Sequence, residues 1–452
     1  MRTGFLPIDL KTKRRIMSIY TPHTKEDVEA MLAKIGVKSL DDLYVDAPKQ
    51  LILKDLPIAD GKSQMQVEKD FKVLASQNKV YDTILRGCGA YDHYIPACVP
   101  ALVNRSEFVT AYTPYQPEIS QGVLQCIFEY QTLMCELSGM DVSNASVYDV
   151  GTAVGEAITM CAERKNKAII VGAVNPQTVQ VAKTYCYAGD RQIVEIAPQN
   201  GLVDLKALQN AIDDDTACVI AQCPNYFGLI EDMKKIGQLA HDKGAKFVYV
   251  FNPIAATVLA TPKECGADVA VAEGQPLGMP LSYGGAYLGI LTCDNKMSRR
   301  MPGRVVGETV DKNGKTAYVL TMQAREQHIR REKALSSICS NQALCATTAV
   351  IYLAAMGKTG MEQVADACVS KAHYLASQLC KIDGVKLKYK GEFFNEFTIE
   401  TNKYTAAVVK KLDKAGILGG CKLNATDSIW CVTEKADKAT LDAVVDAFKE
   451  VK

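Results

Sequence analysis

The sequence predicts an α/β protein: a large domain built on a mostly parallel sheet, followed by a small α+β domain. Two observations carry this. Short β-rich runs recur at 168–172, 193–196, 217–221, 247–250, 268–272 and 287–291, and helical segments at 177–186, 204–213 and 230–243 separate the earlier ones. These runs are apolar throughout rather than alternating, so both faces of the sheet must be covered, as in parallel sheets wrapped by helices. The last strands follow one another with little helix between them, so the sheet is expected to be mixed. The pattern then changes near residue 341. A long helix at 341–356 leads into a helix at 360–382, strands at 385–388 and 396–400, a helix at 405–415, a strand at 428–432 and a closing helix at 436–450.

Ahead of the sheet, an amphipathic helix starts at Thr24, carries Val28, Met31, Leu32 and Ile35, and ends at Gly36; a short polar turn and helix follow. A further helix is expected at 63–77. Neither has enough apolar surface for its own core, so the two form an arm. A strongly apolar helix at 123–138 is closed by Gly139. The expected organisation is an N-terminal extension and helical arm (1–80), a large α/β domain (81–340) and a small C-terminal α+β domain (341–452). Residues 1–16, MRTGFLPIDLKTKRRI, match no packed element, and Met17 is a candidate start. They carry no functional argument.

Charge is balanced, with 52 Lys and Arg against 51 Asp and Glu, so no nucleic acid or other polyanion is implied as a partner. The 16 cysteines form no C-x-x-C pair and the five histidines are equally dispersed, so the spacing gives no metal site. Most cysteines stand in apolar runs and read as small buried hydrophobes; so many unpaired thiols suit a reducing compartment. No apolar stretch is expected to span a membrane and no signal core is seen, so the expected location is cytoplasmic.

The most informative stretch is AYTPYQPEISQG at 111–122. Its prolines and final glycine mark a fixed loop, and it displays Tyr112, Thr113, Tyr115, Gln116 and Glu118 within a few residues. A second is QAREQHIRREKALSSICSN at 323–341. With YDHYIPA at 91–97, FEYQTLMCELSGMDVSNASVYD at 128–149 and RRMPGRVVGETVD at 299–311, the chain resembles the glycine decarboxylase (P-protein) family of the glycine cleavage system, specifically its first subunit where the enzyme is split in two. Two departures are small: the family more often has asparagine and threonine at Ser337 and Ser340. A third is Asn175-Pro176, where the family commonly has histidine-proline, so a ring-stacking role is not expected there.

The resemblance implies the fold-type I pyridoxal-phosphate architecture, and pyridoxal phosphate as the electron sink for the carbanion left by decarboxylation. In this fold a lysine following a strand forms the Schiff base, and an acid on the preceding strand faces the pyridine nitrogen. Here Asn252 stands at the acid's place, and Glu273-Gly274-Gln275-Pro276 stands where histidine-lysine is expected. The nearest lysine, Lys263, lies beside Pro262 and suits a surface loop. No residue of this chain is therefore assigned as catalytic. Gly151 and Thr152, with Asn252 and Gln275, read as a vestigial cofactor pocket; Asp149 to Thr152 is otherwise a strand end and helix cap, or a phosphate cradle at a helix N-terminus.

The lysine and its covalently held cofactor are thus expected on a partner, glycine dehydrogenase subunit 2, in an α2β2 heterotetramer acting on glycine and the lipoyl-bearing H-protein. The 111–122 loop would wall the partner's active site; its plainer reading is a well-packed turn. Arg304, in a cluster around Pro302-Gly303, and Arg325, His328, Arg330 and Arg331 are candidates for subunit-interface or H-protein contacts; the plainer reading of the run from Arg325 is a solvated helix face. An autonomous aminotransferase or lyase would call for an acid at 252 and a lysine near 275. A non-catalytic scaffold is the remaining alternative. Gly87-Cys88-Gly89 does not extend to a G-x-G-x-x-G motif.

Overall fold

The computed structural model describes residues 23–53, 57–59, 61–110 and 113–450. Expectations for residues 1–22 and for Tyr112 lie outside the described residues. The chain forms two compact units that divide between Lys79 and Val80.

In the first unit the helix Lys25–Ile35 begins in a reciprocal cap: Thr24 Oγ1 accepts from Asp27 N (3.2 Å) and Asp27 Oδ2 accepts from Thr24 N (2.8 Å). It ends at Gly36, whose φ of 89° is open to glycine at little cost. A second helix, Gln64–Ala75, buries none of its residues. Met65, Phe71 and Leu74 stand exposed along it.

The second unit holds a seven-stranded sheet in the order Val142–Ser143, Gly289–Cys293, Val269–Glu273, Lys246–Phe251, Thr216–Cys223, Lys167–Val171, Gln192–Ile196. The last five run parallel, and the first two are antiparallel to their neighbours. The strand at Lys246–Phe251 shows why both faces are apolar: Phe247, Tyr249 and Phe251 enter one core, Val248 and Val250 the other. The first core meets Ile236 of the helix Met233–Asp242 and Tyr352 of the long helix Ala343–Leu379. Val154 and Ile158 of the helix Val150–Ala162 close the second.

Two expectations need correction. The helices at 341–356 and 360–382 are one element, Ala343–Leu379, bent where Gly357 takes φ 61° and ψ 178°. This element is long and apolar enough to cross a membrane by length and composition only. Its bend and its residues in the sheet core, Ala346, Ala349 and Tyr352 among them, identify a core helix. The antiparallel pair Val305–Val310 and Thr316–Thr321 was not anticipated.

Beyond the long helix, a four-stranded antiparallel sheet (Lys386–Leu387, Glu396–Glu400, Asp427–Cys431, Cys421–Lys422) carries the helices Ala406–Lys414 and Lys438–Lys449. Its core centres on Trp430, 5.1 Å from the Tyr404 ring and 5.7 Å from that of Phe448. Thr83–Ile84 pairs in parallel with Ile417–Leu418, which brings the segment leading into residue 91 against this lobe.

Candidate functional site

Open parallel sheets bind ligands beyond the C-terminal ends of their strands. Here that end holds a cavity of about 50 Å³, lined by Tyr91, Val150, Asn175, Gln222, Asn252, Glu273 and Glu396 among others. Of the sequence-predicted pocket residues Asn252 lines this cavity, whereas Gly151, Thr152 and Gln275 do not. Asn252 Oδ1 accepts from Ile254 N (2.9 Å) and Ala255 N (3.2 Å), capping the turn that follows its strand. Gln275 is buried: its Oε1 accepts from Tyr91 N (2.8 Å), while Nε2 donates to Tyr91 O (2.9 Å) and Met279 O (2.8 Å). Lys263 is on the surface, paired with Asp141 and Asp294.

Gly151 and Thr152 open the helix Val150–Ala162, where free N–H groups would form an anion cradle. Asp149 Oδ1 accepts from Thr152 N (2.7 Å), and Glu273 Oε2 accepts from Val150 N (3.2 Å). Glu273 Oε1 also takes Gln275 N (3.1 Å) and Leu288 N (3.0 Å). Two carboxyl groups of this chain therefore stand at the helix end that a phosphate would use. Burial pushes Glu273 up to about 7 despite these donors. Asn175 is spent as well: its Oδ1 caps Gln177 N (2.9 Å) and its Nδ2 donates to Cys88 O (3.0 Å).

Glu396 was not anticipated from sequence. It is buried, accepts from Cys88 N (2.7 Å) and Tyr91 Oη (2.8 Å), and is pushed by burial up to about 7. Only the fold brings it to Tyr91, from which it is separated by most of the chain.

The 113–122 stretch lies at a different place. Thr113, Tyr115, Gln116 and Ser120 line an open cavity of about 780 Å³. Glu118 is exposed in the first turn of the helix Pro117–Ser138, where the helix dipole favours an anion. Tyr115 is tied down on both sides. Its hydroxyl donates to Cys339 O (2.8 Å), and the Arg304 guanidinium lies 4.2 Å over its ring. Arg304 Nη2 donates to the same carbonyl (2.9 Å), and Nη1 pairs with Glu326. The two sequence motifs at 111–122 and 323–341 thus meet in one knot.

The five basic candidates separate. Arg304 is buried in that knot, and Arg325 donates to the carbonyls of Met301 and Gly303. Both are used inside the chain. His328 faces Glu326 at 3.4 Å, and Arg330 and Arg331 are exposed.

The parallel sheet with helices on both faces and the small C-terminal lobe define the fold-type I class of pyridoxal-phosphate-dependent enzymes. That fold recurs in a Burkholderia pseudomallei sphingosine-1-phosphate lyase, with a TM-score of 0.64 at 14% identity over 90% of this chain and 94% of that one. Within the class, the model of the glycine cleavage system P-protein matches residues 18–448, and the chain belongs to that family. It is 46% identical over 434 residues to the probable glycine dehydrogenase (decarboxylating) subunit 1 of Desulforamulus reducens, covering 94% of this chain and 97% of that protein. A crystal structure of glycine decarboxylase (P-protein) of the glycine cleavage system, in inhibitor-bound form, superposes with a TM-score of 0.90 at 37% identity, covering 96% of this chain and 100% of that one.

Pyridoxal phosphate does not fit this chain's own pocket. Ligand pockets run to roughly 300–1,000 Å³, against about 50 Å³ here. At the places expected from sequence, Asp149 and Glu273 flank the start of the helix Val150–Ala162, Asn252 Oδ1 is taken up by backbone N–H groups, and Gln275 stands where the lysine is expected.

Proposed function

We propose that this chain is subunit 1 of a glycine dehydrogenase (decarboxylating) whose Schiff-base lysine and covalently bound pyridoxal phosphate belong to a separate subunit 2. The pair would form an α2β2 heterotetramer, decarboxylate glycine and pass the aminomethyl group to the lipoyl arm of H-protein. The observation that carries this reading is Gln275: at the lysine's expected place stands an uncharged amide, buried and hydrogen-bonded to Tyr91 and Met279. An autonomous aminotransferase or lyase would need a cation-forming amine there.

This chain's contribution is a wall of the partner's active site, made by Thr113 and Gln116 on the open cavity and by Glu118 in the helix turn that follows; Tyr112, outside the described residues, stays a candidate from sequence. Tyr115 holds that wall in place through Cys339 and Arg304. The exposed apolar side chains of Gln64–Ala75 support a chain that completes its surface in an assembly. His328, Arg330 and Arg331 remain as the exposed contacts for a partner or for H-protein.

The test is glycine–bicarbonate exchange by each subunit alone and by the mixture. Activity is expected only on mixing. Exchange by subunit 2 alone at the rate of the mixture would leave this chain dispensable.

A further inference from the structure

Away from the vestigial pocket, three segments distant in sequence bring His93, Cys368 and Glu434 together. His93 stands in the loop after Thr83–Ile84, Cys368 on the second half of the long helix Ala343–Leu379, and Glu434 just past the strand Asp427–Cys431. A ring nitrogen of His93, the sulfur of Cys368 and a carboxylate oxygen of Glu434 all lie within 4.8 Å of one another. His93 Nδ1 is 2.7 Å from Glu434 Oε2, and the Cys368 thiol approaches the same oxygen at 3.5 Å. Glu434 Oε1 accepts from Tyr94 N at 2.5 Å. The side chains of His93 and Glu434 are 3% and 14% exposed, and Cys368 is fully buried.

Hydrogen bonding among these groups leaves the cluster incomplete. Among the described residues, Nε2 of His93 and Oη of Tyr352 are buried with no hydrogen-bond partner. Orphans of this kind in a native interior call for a water or an ion. Burial and the charge of Glu434 raise the Tyr352 hydroxyl above its usual range. One nitrogen, one sulfur and one carboxylate oxygen form a donor set suited to zinc, which is bound by His, Cys and Asp or Glu at about 2.0–2.3 Å, with a fourth place for water or another side chain.

We propose that His93, Cys368 and Glu434 form a binding site for one thiophilic divalent cation, zinc being the ion whose donors they supply. On binding, the Cys368 S–H bond breaks, the sulfur bonds to the ion as thiolate, and the proton leaves to solvent; no electrons are exchanged. The ion would tie the 91–97 loop to the long helix and to the C-terminal lobe. Since Gln275 grips Tyr91 in that same loop, the site would steady the vestigial pocket from behind. Sequence spacing could not reveal it, because the donors are far apart in the chain.

The test uses the full-length chain, stripped with a chelator and titrated with cobalt(II), then with zinc in competition. The expected result is one equivalent bound, with a near-ultraviolet thiolate-to-cobalt charge-transfer band that zinc abolishes. Cys368→Ala should lose the band, and the control Cys380→Ala, at an exposed cysteine, should keep it. Glu434→Gln should bind at least about 10-fold more weakly. Circular dichroism checks the fold of each variant; should Cys368→Ala fail to fold, His93→Gln and Glu434→Gln decide by the same titration. No stoichiometric binding, or a band unchanged in the folded variants, would overturn the site and leave a hydrogen-bonded cluster filled by water.

Discussion

Gln275 and Tyr91 hold each other through a pair of amide hydrogen bonds: Gln275 Oε1 accepts from Tyr91 N at 2.8 Å, and its Nε2 donates to Tyr91 O at 2.9 Å. The side chain at the place where sequence leads one to expect the Schiff-base lysine fastens a loop 184 residues away. Tyr91 continues the chain of contacts by donating its hydroxyl to Glu396 (2.8 Å), so the pocket is closed from both lobes of the unit.

Placing the missing amine back should therefore not restore chemistry. Gln275→Lys strips partners from Tyr91 N, Tyr91 O and Met279 O and puts a cation at a buried position. The expected loss is on the order of 3 kcal/mol, read as a lower urea midpoint, with no borohydride-stable pyridoxyl adduct on this chain. A stable variant that is labelled by the cofactor would show that the pocket is still competent.

The two ends of the 113–116 stretch should respond differently to mutation. Tyr115→Phe removes the donor to Cys339 O while leaving Arg304 over the ring, so stability falls by about 0.5–1.5 kcal/mol and turnover per assembled complex is kept. Gln116→Ala has no such tie and should leave the melting temperature unchanged. It should lower glycine–bicarbonate exchange about tenfold, equivalent to roughly 1.4 kcal/mol of transition-state stabilisation. Exchange at the wild-type rate in assembled Gln116→Ala would remove the residue from the active-site wall.

Glu396 gives a pH dependence with a defined sign. Burial raises its carboxyl from 4.5 to about 7, so the folded state holds the proton that the unfolded state has already released. The stability from this group is complete below pH 4.5 and is lost as pH rises through about 7. Roughly 3 kcal/mol is at stake, at 1.36 kcal/mol per unit. Glu396→Gln, which keeps an acceptor for Cys88 N and offers N–H to the Tyr91 oxygen, should gain stability relative to wild type at pH 8 and not at pH 4.5. Urea unfolding of both proteins at the two pH values checks this; an equal difference at both would contradict it.

Most of the fold was legible in the sequence because apolar strands such as 247–250 and 217–221 leave few alternatives. The structure extends these two to Lys246–Phe251 and Thr216–Cys223. The pair Val305–Val310 and Thr316–Thr321 escaped because its exposed half (Glu308, Thr309, Val310) lacks the continuous apolar signal used elsewhere. Gly357 was readable as a break but not as a bend within one continuing helix. At the site, Asn252 and Gln275 were visible by position. Glu273 was in view at its strand end, but its grip on Val150 N depends on strand and helix meeting in space. Arg304 and Arg325 looked like surface charge because sequence does not show the carbonyls of Met301, Gly303 and Cys339 turned toward them.

The location of the reactive amine is the central claim, and one measurement reaches it most directly. The reconstituted complex is reduced with borohydride in the presence of pyridoxal phosphate, digested, and its pyridoxyl-lysine peptides are assigned to their chains. The expected result is a label confined to the partner subunit, with this chain unlabelled and colourless when treated alone. A pyridoxyl group on any lysine of this chain, Lys263 included, at a stoichiometry matching activity would contradict it.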